Sequence, residues 1–185
     1  MSVLMEELLK FNEAFVAEGD YVQYNTSKYP DKKLAVVACM DARLTELLPA
    51  AMGLKKGDVA LIKTAGGIIF SAFGSVMRSL LVAVYELEVE EIAVVGHYDC
   101  GIQGLELEPT LEKMLKRGVQ QDDIDLISLC GVDMNAWLRG FTDPHTAVRA
   151  SMKVLLTHPL MPKDVAVHGF VMDPATGRLD QVTVT

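Results

Sequence analysis

The chain has 185 residues, a length that suits one domain with a buried core. Half of the residues are hydrophobic and 23% are charged, the balance of a globular protein, and a formal net charge of −8 argues against a nucleic-acid binder, which carries basic patches. No apolar run reaches the roughly 18 residues needed to span a bilayer; the longest, around residues 79–84, is followed by Glu86, Glu88, Glu90 and Glu91.

Residues 1–10 carry Glu6 and Glu7 and lack a basic start followed by an apolar run, so no signal peptide is expected and a cytoplasmic location is the default. Leu4, Leu8, Leu9, Phe11, Phe15 and Val16 recur at helical spacing, which predicts an amphipathic helix over 4–17, ended by Gly19-Asp20. The stretch to Lys33 is polar and aromatic with a turn at Pro30-Asp31. Residues 1–33 therefore read as an arm that packs on the main body or on a partner subunit. A first apolar strand, 34–38, runs into Cys39; a helix over 45–52 ends at Gly53; a second strand covers 59–63. Thr64-Ala65-Gly66-Gly67 then makes a tight loop. Val76, Leu80, Ala83, Val84 and Leu87 share one face of a helix over 75–87, and a third strand, 92–95, ends at Gly96-His97.

Strands separated by helices imply a parallel sheet in an α/β fold. Residues 105–129 read as helical in two or three pieces, broken near Pro109 and Gly118. Asp143 caps a helix to 156 with Pro144 at its first position. A strand over 165–172 holds His168-Gly169, and a turn over 173–177 leads to a closing strand, 181–184. No repeat, linker or low-complexity segment interrupts residues 1–185, which are expected to form one domain.

Two short runs carry the chemistry: Cys39-Met40-Asp41-Ala42-Arg43 and His97-Tyr98-Asp99-Cys100-Gly101. Each follows an apolar strand, and in open α/β sheets sites form beyond the carboxyl ends of strands. Cys39, His97 and Cys100 offer two thiols and one imidazole, which suits tetrahedral zinc with one position left open. Taken singly, each is more often structural: a cysteine at a strand end is usually a small buried hydrophobe. Together, at two strand ends that each bear an aspartate, they point to a metal. Cys130 has no nearby His or Cys and is expected to be a plain buried thiol. Three cysteines cannot all pair, and in a reducing compartment metal binding is favoured over disulfides. Arg43 can grip Asp41 in two-pronged fashion, keeping it ionised and oriented beside the open position. Released, Asp41 could take that fourth position itself. The plainer alternative is a surface ion pair of little worth.

Cys-x-Asp-x-Arg followed by His-x-x-Cys-Gly, here Cys39, Asp41, Arg43, His97, Cys100 and Gly101, resembles the signature of the β-class carbonic anhydrases. The Lys63-x-Ala65-Gly66 loop and the late His168-Gly169 strand are similar to compact members of that family, and the resemblance covers roughly residues 34–185. It implies a mostly parallel sheet of four strands plus an edge strand, flanked by helices, with an N-terminal helical arm. It also implies a zinc ion and a homodimer as the smallest assembly. The active site would then lie at or near the dimer interface, with N-terminal helices packing across the partner. The activity implied is reversible hydration of carbon dioxide to bicarbonate through zinc-bound hydroxide, with Asp41 orienting the hydroxide and Arg43 orienting Asp41. Three-histidine carbonic anhydrases are the reference case for such acidified water. Two thiolates give the metal more charge than imidazoles do, so activity is expected to rise toward alkaline pH.

Thr64 and Gly67 stand where the family usually has asparagine, and residues 68–73 are apolar where relatives carry polar groups. Gly101, Gly66, Gly67 and Phe70 are the residues expected on the substrate side. Phe70 and Phe73 could equally just pack on the helix from Ser75. An apolar lining suits carbon dioxide and equally carbonyl sulfide or carbon disulfide. His145, His158 and His168 are the candidate proton shuttles; His168, in an apolar strand, is expected to be buried, whereas Tyr98 and Asp99 read as exposed candidates for buffer or proton contact. A non-catalytic protein with zinc closed off by Asp41 is the reading from another class. A redox role is least favoured, since Cys39 and Cys100 belong to no Cys-x-x-Cys pair.

Overall fold

The computed structural model describes residues 2–184. Its centre is a five-stranded sheet of β1 (Leu34–Cys39), β2 (Val59–Thr64), β3 (Glu91–His97), β4 (Ala166–Met172) and β5 (Leu179–Val182), in the order β2-β1-β3-β4-β5. The first four are parallel and β5 is antiparallel to β4, as expected of four strands plus an edge strand. β1 and β3 lie inside the sheet and are covered on both faces, which is why they read as unbroken apolar runs rather than as alternation.

Alternate residues of those strands feed two cores. Ala35, Val37, Ile92 and Val94 pack with Met77, Leu80 and Ala83 of α3 (Ser75–Glu86) and with Val148, Met152 and Leu155 of α7 (Pro144–Thr157). Val36, Ala38, Ala93 and Val95 pack on the other face with Leu44 and Leu48 of α2 (Leu44–Ala51). Each fully buried Leu or Ile is worth about 1.5–3 kcal/mol, so the two-sided burial outweighs any single turn or cap. Helix α7 begins as its sequence predicts: Asp143 Oδ2 accepts from Thr146 N at 2.7 Å, with Pro144 in the first turn.

Helix α1 (Val3–Ala17) buries none of its side chains, and Val3, Leu4, Leu8, Leu9 and Phe11 are each at least half exposed. A 3-10 turn, Asp20–Tyr24, follows it and brings Tyr24 against Phe15. Among the described residues, no helix is long and apolar enough to cross a membrane.

Between β3 and α7 the chain makes a helical excursion of α4 (Leu107–Lys116), α5 (Gln121–Leu129) and α6 (Met134–Leu138). Pro109 does not break it. It sits in the first turn of α4, where a missing N–H costs nothing. Helix α6, one turn capped by Asp133 on Ala136 N, carries too little periodicity to be read from sequence. Cys130 is exposed, not buried, because it caps the end of α5 on this excursion rather than facing the sheet. His168 also departs from expectation. It lies in a strand, but its side chain is 40% exposed and its Nε2 pairs with Glu91 Oε2 at 2.8 Å across the β3–β4 register. The closing strand lies at 179–182, two residues earlier than its sequence suggests, because pairing with β4 sets its bounds.

Candidate metal centre

The strand order reverses direction between β1 and β3: the chain steps from β1 outward to β2, then returns to the other side of β1. A crevice opens at such a switch point beyond the carboxyl ends of the strands. Cys39 is the last residue of β1 and His97 the last of β3. Cys100 follows on the loop from β3. One ligand atom from each of Cys39, His97 and Cys100 lies within 4.8 Å of the others, and all three residues are buried.

The loop after β2 closes the floor. Gly67 has φ +66, and a Cβ there would lie 2.6 Å from Val95 O and 2.7 Å from Cys39 N. Only glycine lets the backbone cross the two strand ends this closely. Thr64 O accepts from Met40 N at 2.9 Å, and Ile69 N donates to Ser151 Oγ at 2.9 Å, which ties the loop to β1 and to α7. Gly66 has φ +78, and Ile102 occupies the place of its Cβ. Gly67 is thus a packing residue, while Gly66 and Gly101 line the cavity above the cluster.

His97 is fully buried and its Nδ1 lies 2.8 Å from Tyr98 O. A carbonyl only accepts, so Nδ1 carries the proton and Nε2 is left with its lone pair facing the two thiols. Among the described residues, Nε2 is one of two buried side-chain polar atoms with no hydrogen-bond partner; the other is Lys63 Nζ. An orphaned buried acceptor costs about 1–3 kcal/mol. The thiols Cys39 Sγ and Cys100 Sγ stand 3.8 Å apart. Burial pushes the Cys39 thiol up, but the His97 ring in its protonated form and the N–H groups of Asp41 and Gly66 outweigh it and bring it down to about 7. Burial, and the charge that Cys39 then carries, push Cys100 up to about 11. The protein without metal thus holds one thiolate readily and a second only at a cost, which a divalent cation would remove. Two sulfurs and one nitrogen, whose tautomer leaves its lone pair without a partner, fit a zinc ion.

Asp41 lies beside this cluster, held by Arg43. Arg43 Nε donates to Asp41 Oδ1 at 3.0 Å, Nη2 donates to Oδ2 at 2.8 Å, and Arg43 N donates to Oδ1 at 2.9 Å. These hydrogen bonds from the Arg43 guanidinium hold the Asp41 carboxyl at about 2, well below the usual carboxylate range. Asp41 Oδ2 lies 3.9 Å from His97 Nε2, near the three ligand atoms without joining them. Arg43 has a second partner that sequence reading missed: Nη1 donates to Asp99 Oδ2 and Nη2 to Asp99 O, both at 2.8 Å.

A cavity of about 270 Å³ opens over the cluster, lined by Met40, Asp41, Ala65, Gly66, Gly101 and Ile102 with the two cysteines. Phe70 does not line it. It lines an adjoining cavity of about 430 Å³ with Leu105, Trp137 and Leu138, and the two cavities share Ala65 and Ile102. None of the three candidate shuttle histidines lines the metal cavity. His145 Nε2 meets Tyr98 Oη, which donates to Asp180 Oδ2; His158 is buried against Ala72 O; His168 pairs with Glu91. The Tyr98 hydroxyl is thereby engaged with α7 and β5 rather than with the cluster.

Known proteins share this fold. The family model described as carbonic anhydrase matches residues 34–179. The chain is 49% identical over 180 residues to YvdA, a candidate carbonic anhydrase of Bacillus subtilis, covering 97% of this chain and 91% of that one. It is 31% identical over 154 residues to beta-carbonic anhydrase 1 of Mycobacterium tuberculosis, covering 83% and 84% of the two chains. A carbon disulfide hydrolase of Acidianus sp. is 27% identical over 173 residues, covering 86% and 82%. Among solved structures, beta-carbonic anhydrase isoform I of Trichomonas vaginalis superposes with a TM-score of 0.88 at 33% identity, covering 98% of each chain.

Proposed function

This chain belongs to the β-class carbonic anhydrase family, and on that premise we propose that it catalyses the reversible hydration of carbon dioxide to bicarbonate at the Cys39–His97–Cys100 cluster. The observation that carries the reading is the buried, partnerless His97 Nε2 facing two thiols at the sheet's switch point. Cys39, His97 and Cys100 would hold zinc, which supplies a positive centre that acidifies water and makes it nucleophilic near neutral pH.

The chain's own residues do the rest. Asp41 Oδ2, fixed by Arg43, accepts the hydrogen bond of the attacking water and turns its lone pair toward the substrate carbon. Arg43 keeps Asp41 ionised, so this oxygen remains an acceptor. Met40, Ala65 and Ile102 give the cavity an apolar lining. Such a lining excludes bulk water and admits a small molecule without a dipole. Gly101 leaves the room a side chain would fill, and Gly66 lets Ile102 pack against the loop. With Asp41 engaged by Arg43, the geometry favours an open fourth position over the closed, non-catalytic reading.

A sulfur substrate is the second reading, favoured by the same apolar lining and by the kinship to carbon disulfide hydrolases. Stopped-flow hydration of carbon dioxide, set beside hydrogen sulfide release from carbon disulfide on the same zinc-loaded sample, separates them. Faster turnover of carbon dioxide is expected; turnover of carbon disulfide alone would transfer the assignment.

A homodimer completes the proposal. The apolar side chains of α1, together with the exposed Phe73 and Tyr85, are surfaces that a monomer would leave in water. Sedimentation is expected to give twice the chain mass; a monomer at micromolar concentration would refute this. A cytoplasmic setting fits the site, because sulfurs 3.8 Å apart must stay reduced to bind metal.

A further inference from the structure

Among the described residues, Arg43 is the hydrogen-bonded link between Asp41 and the loop that carries His97 and Cys100, and it makes that link through Asp99. The guanidinium offers five donors in a planar fork. One edge grips Asp41; the remaining donors reach Asp99, Nη1 to the carboxylate and Nη2 to the backbone carbonyl. Asp99 sits at φ +52, a backbone region that aspartate and asparagine tolerate better than most residues, and there its carbonyl and carboxylate face the same guanidinium. The Asp99 side chain is otherwise 85% exposed and the Arg43 side chain 44% exposed. Held by Asp41 alone, a half-exposed arginine is free to follow that carboxylate or to turn to solvent.

We propose that Asp99 is a positioning residue: by clamping Arg43 to the metal-ligand loop it holds Asp41 beside the metal position and out of it. The inference rests on the proposed zinc site but concerns Asp41 rather than the substrate. Without the Asp99 charge, Arg43 loosens, Asp41 becomes free to move the short way from its place near His97 Nε2, and the fourth position is closed to other ligands.

The test uses the full chain loaded with one cobalt(II) per subunit, with azide as the probe of the open position and the visible absorption of cobalt as the readout. Asp99→Asn removes the charge while keeping a residue suited to φ +52, at a position exposed enough for the fold to survive. The expected result is azide binding weakened at least about threefold, and kcat for carbon dioxide reduced by a similar factor with KM little changed. Azide affinity closer than that to the parent's, or stronger, would overturn the proposal. A double-mutant cycle with Asp41→Asn gives the second arm. Asp99→Asn is expected to leave azide affinity unchanged in that background, since Asp99 acts through Asp41; an undiminished loss there would mean Asp99 merely supports the loop and would also overturn the proposal. Because azide binding is read without substrate, absence of carbon dioxide turnover in the parent would count against the proposed reaction and leave the Asp99 result standing.

Discussion

Replacing Cys100 by alanine is expected to abolish zinc binding and turnover together. The loop from β3 presents His97 and Cys100 to one point, and Cys39 meets them from β1. Three ligands are the fewest that hold zinc with a position to spare, so losing one leaves two. Even loss of a partner that only orients a ligand costs about 10–100-fold in affinity, so loss of a ligand itself is expected to cost more than about 100-fold. The fold should persist without metal. Cys100 packs at the edge of a core built on Leu44, Leu48 and Val95, and alanine keeps the backbone while removing one sulfur. Metal content by mass spectrometry under native conditions, thermal unfolding and carbon dioxide hydration on one sample would check this. A Cys100→Ala protein that retained stoichiometric zinc and full activity would remove Cys100 from the ligand set.

Asp41→Ala is expected to separate what Cys100→Ala joins: zinc stays and kcat falls. Asp41 lies outside the three ligand atoms, so the metal loses nothing that holds it. What is lost is the oriented acceptor beside the open position, and positioned acid–base groups contribute about 100- to 10,000-fold. If the carboxylate acts on the attacking water rather than on the incoming gas, as proposed, the loss falls on kcat and leaves KM nearly unchanged. The substitution also removes the oxygen that accepts from Arg43 N just ahead of α2, a hydrogen bond worth about 1 kcal/mol. A drop of a few degrees in melting temperature is therefore expected, without loss of fold. Arg43 keeps its Asp99 contacts and does not become an unpaired charge. Turnover unchanged from the parent would exclude Asp41 from the reaction.

The sheet and the cluster are both readable in the sequence because each depends on short-range signals that tertiary structure then respects. Leu34-Ala35-Val36-Val37-Ala38 and Ile92-Ala93-Val94-Val95 are apolar throughout, as strands covered on both faces must be, and each leads into a residue of the Cys39–His97–Cys100 cluster. Four strands plus an edge strand, the fold implied by the family resemblance, is the fold observed. Other features depend on which strands become neighbours. Arg43 and Asp99 are 56 residues apart and meet only because β1 and β3 pair. Tyr98, His145 and Asp180 come from three separate elements, and no local pattern joins them. Ser151 reads as one more polar residue of α7 until Ile69 N is seen to donate to it. Cys130 and His168 depart from expectation for one reason: an apolar neighbourhood in sequence does not guarantee burial, and one of them ends a helix on the outer excursion while the other faces Glu91 across the strand register.

Titrating zinc into the metal-free protein, with stopped-flow carbon dioxide hydration and bound metal measured at each step, tests most directly whether one zinc ion at Cys39, His97 and Cys100 makes this chain a carbon dioxide hydratase. Turnover is expected to rise in proportion to bound zinc and to stop rising at one per chain. Full zinc occupancy without turnover, or turnover indifferent to zinc, would contradict that assignment.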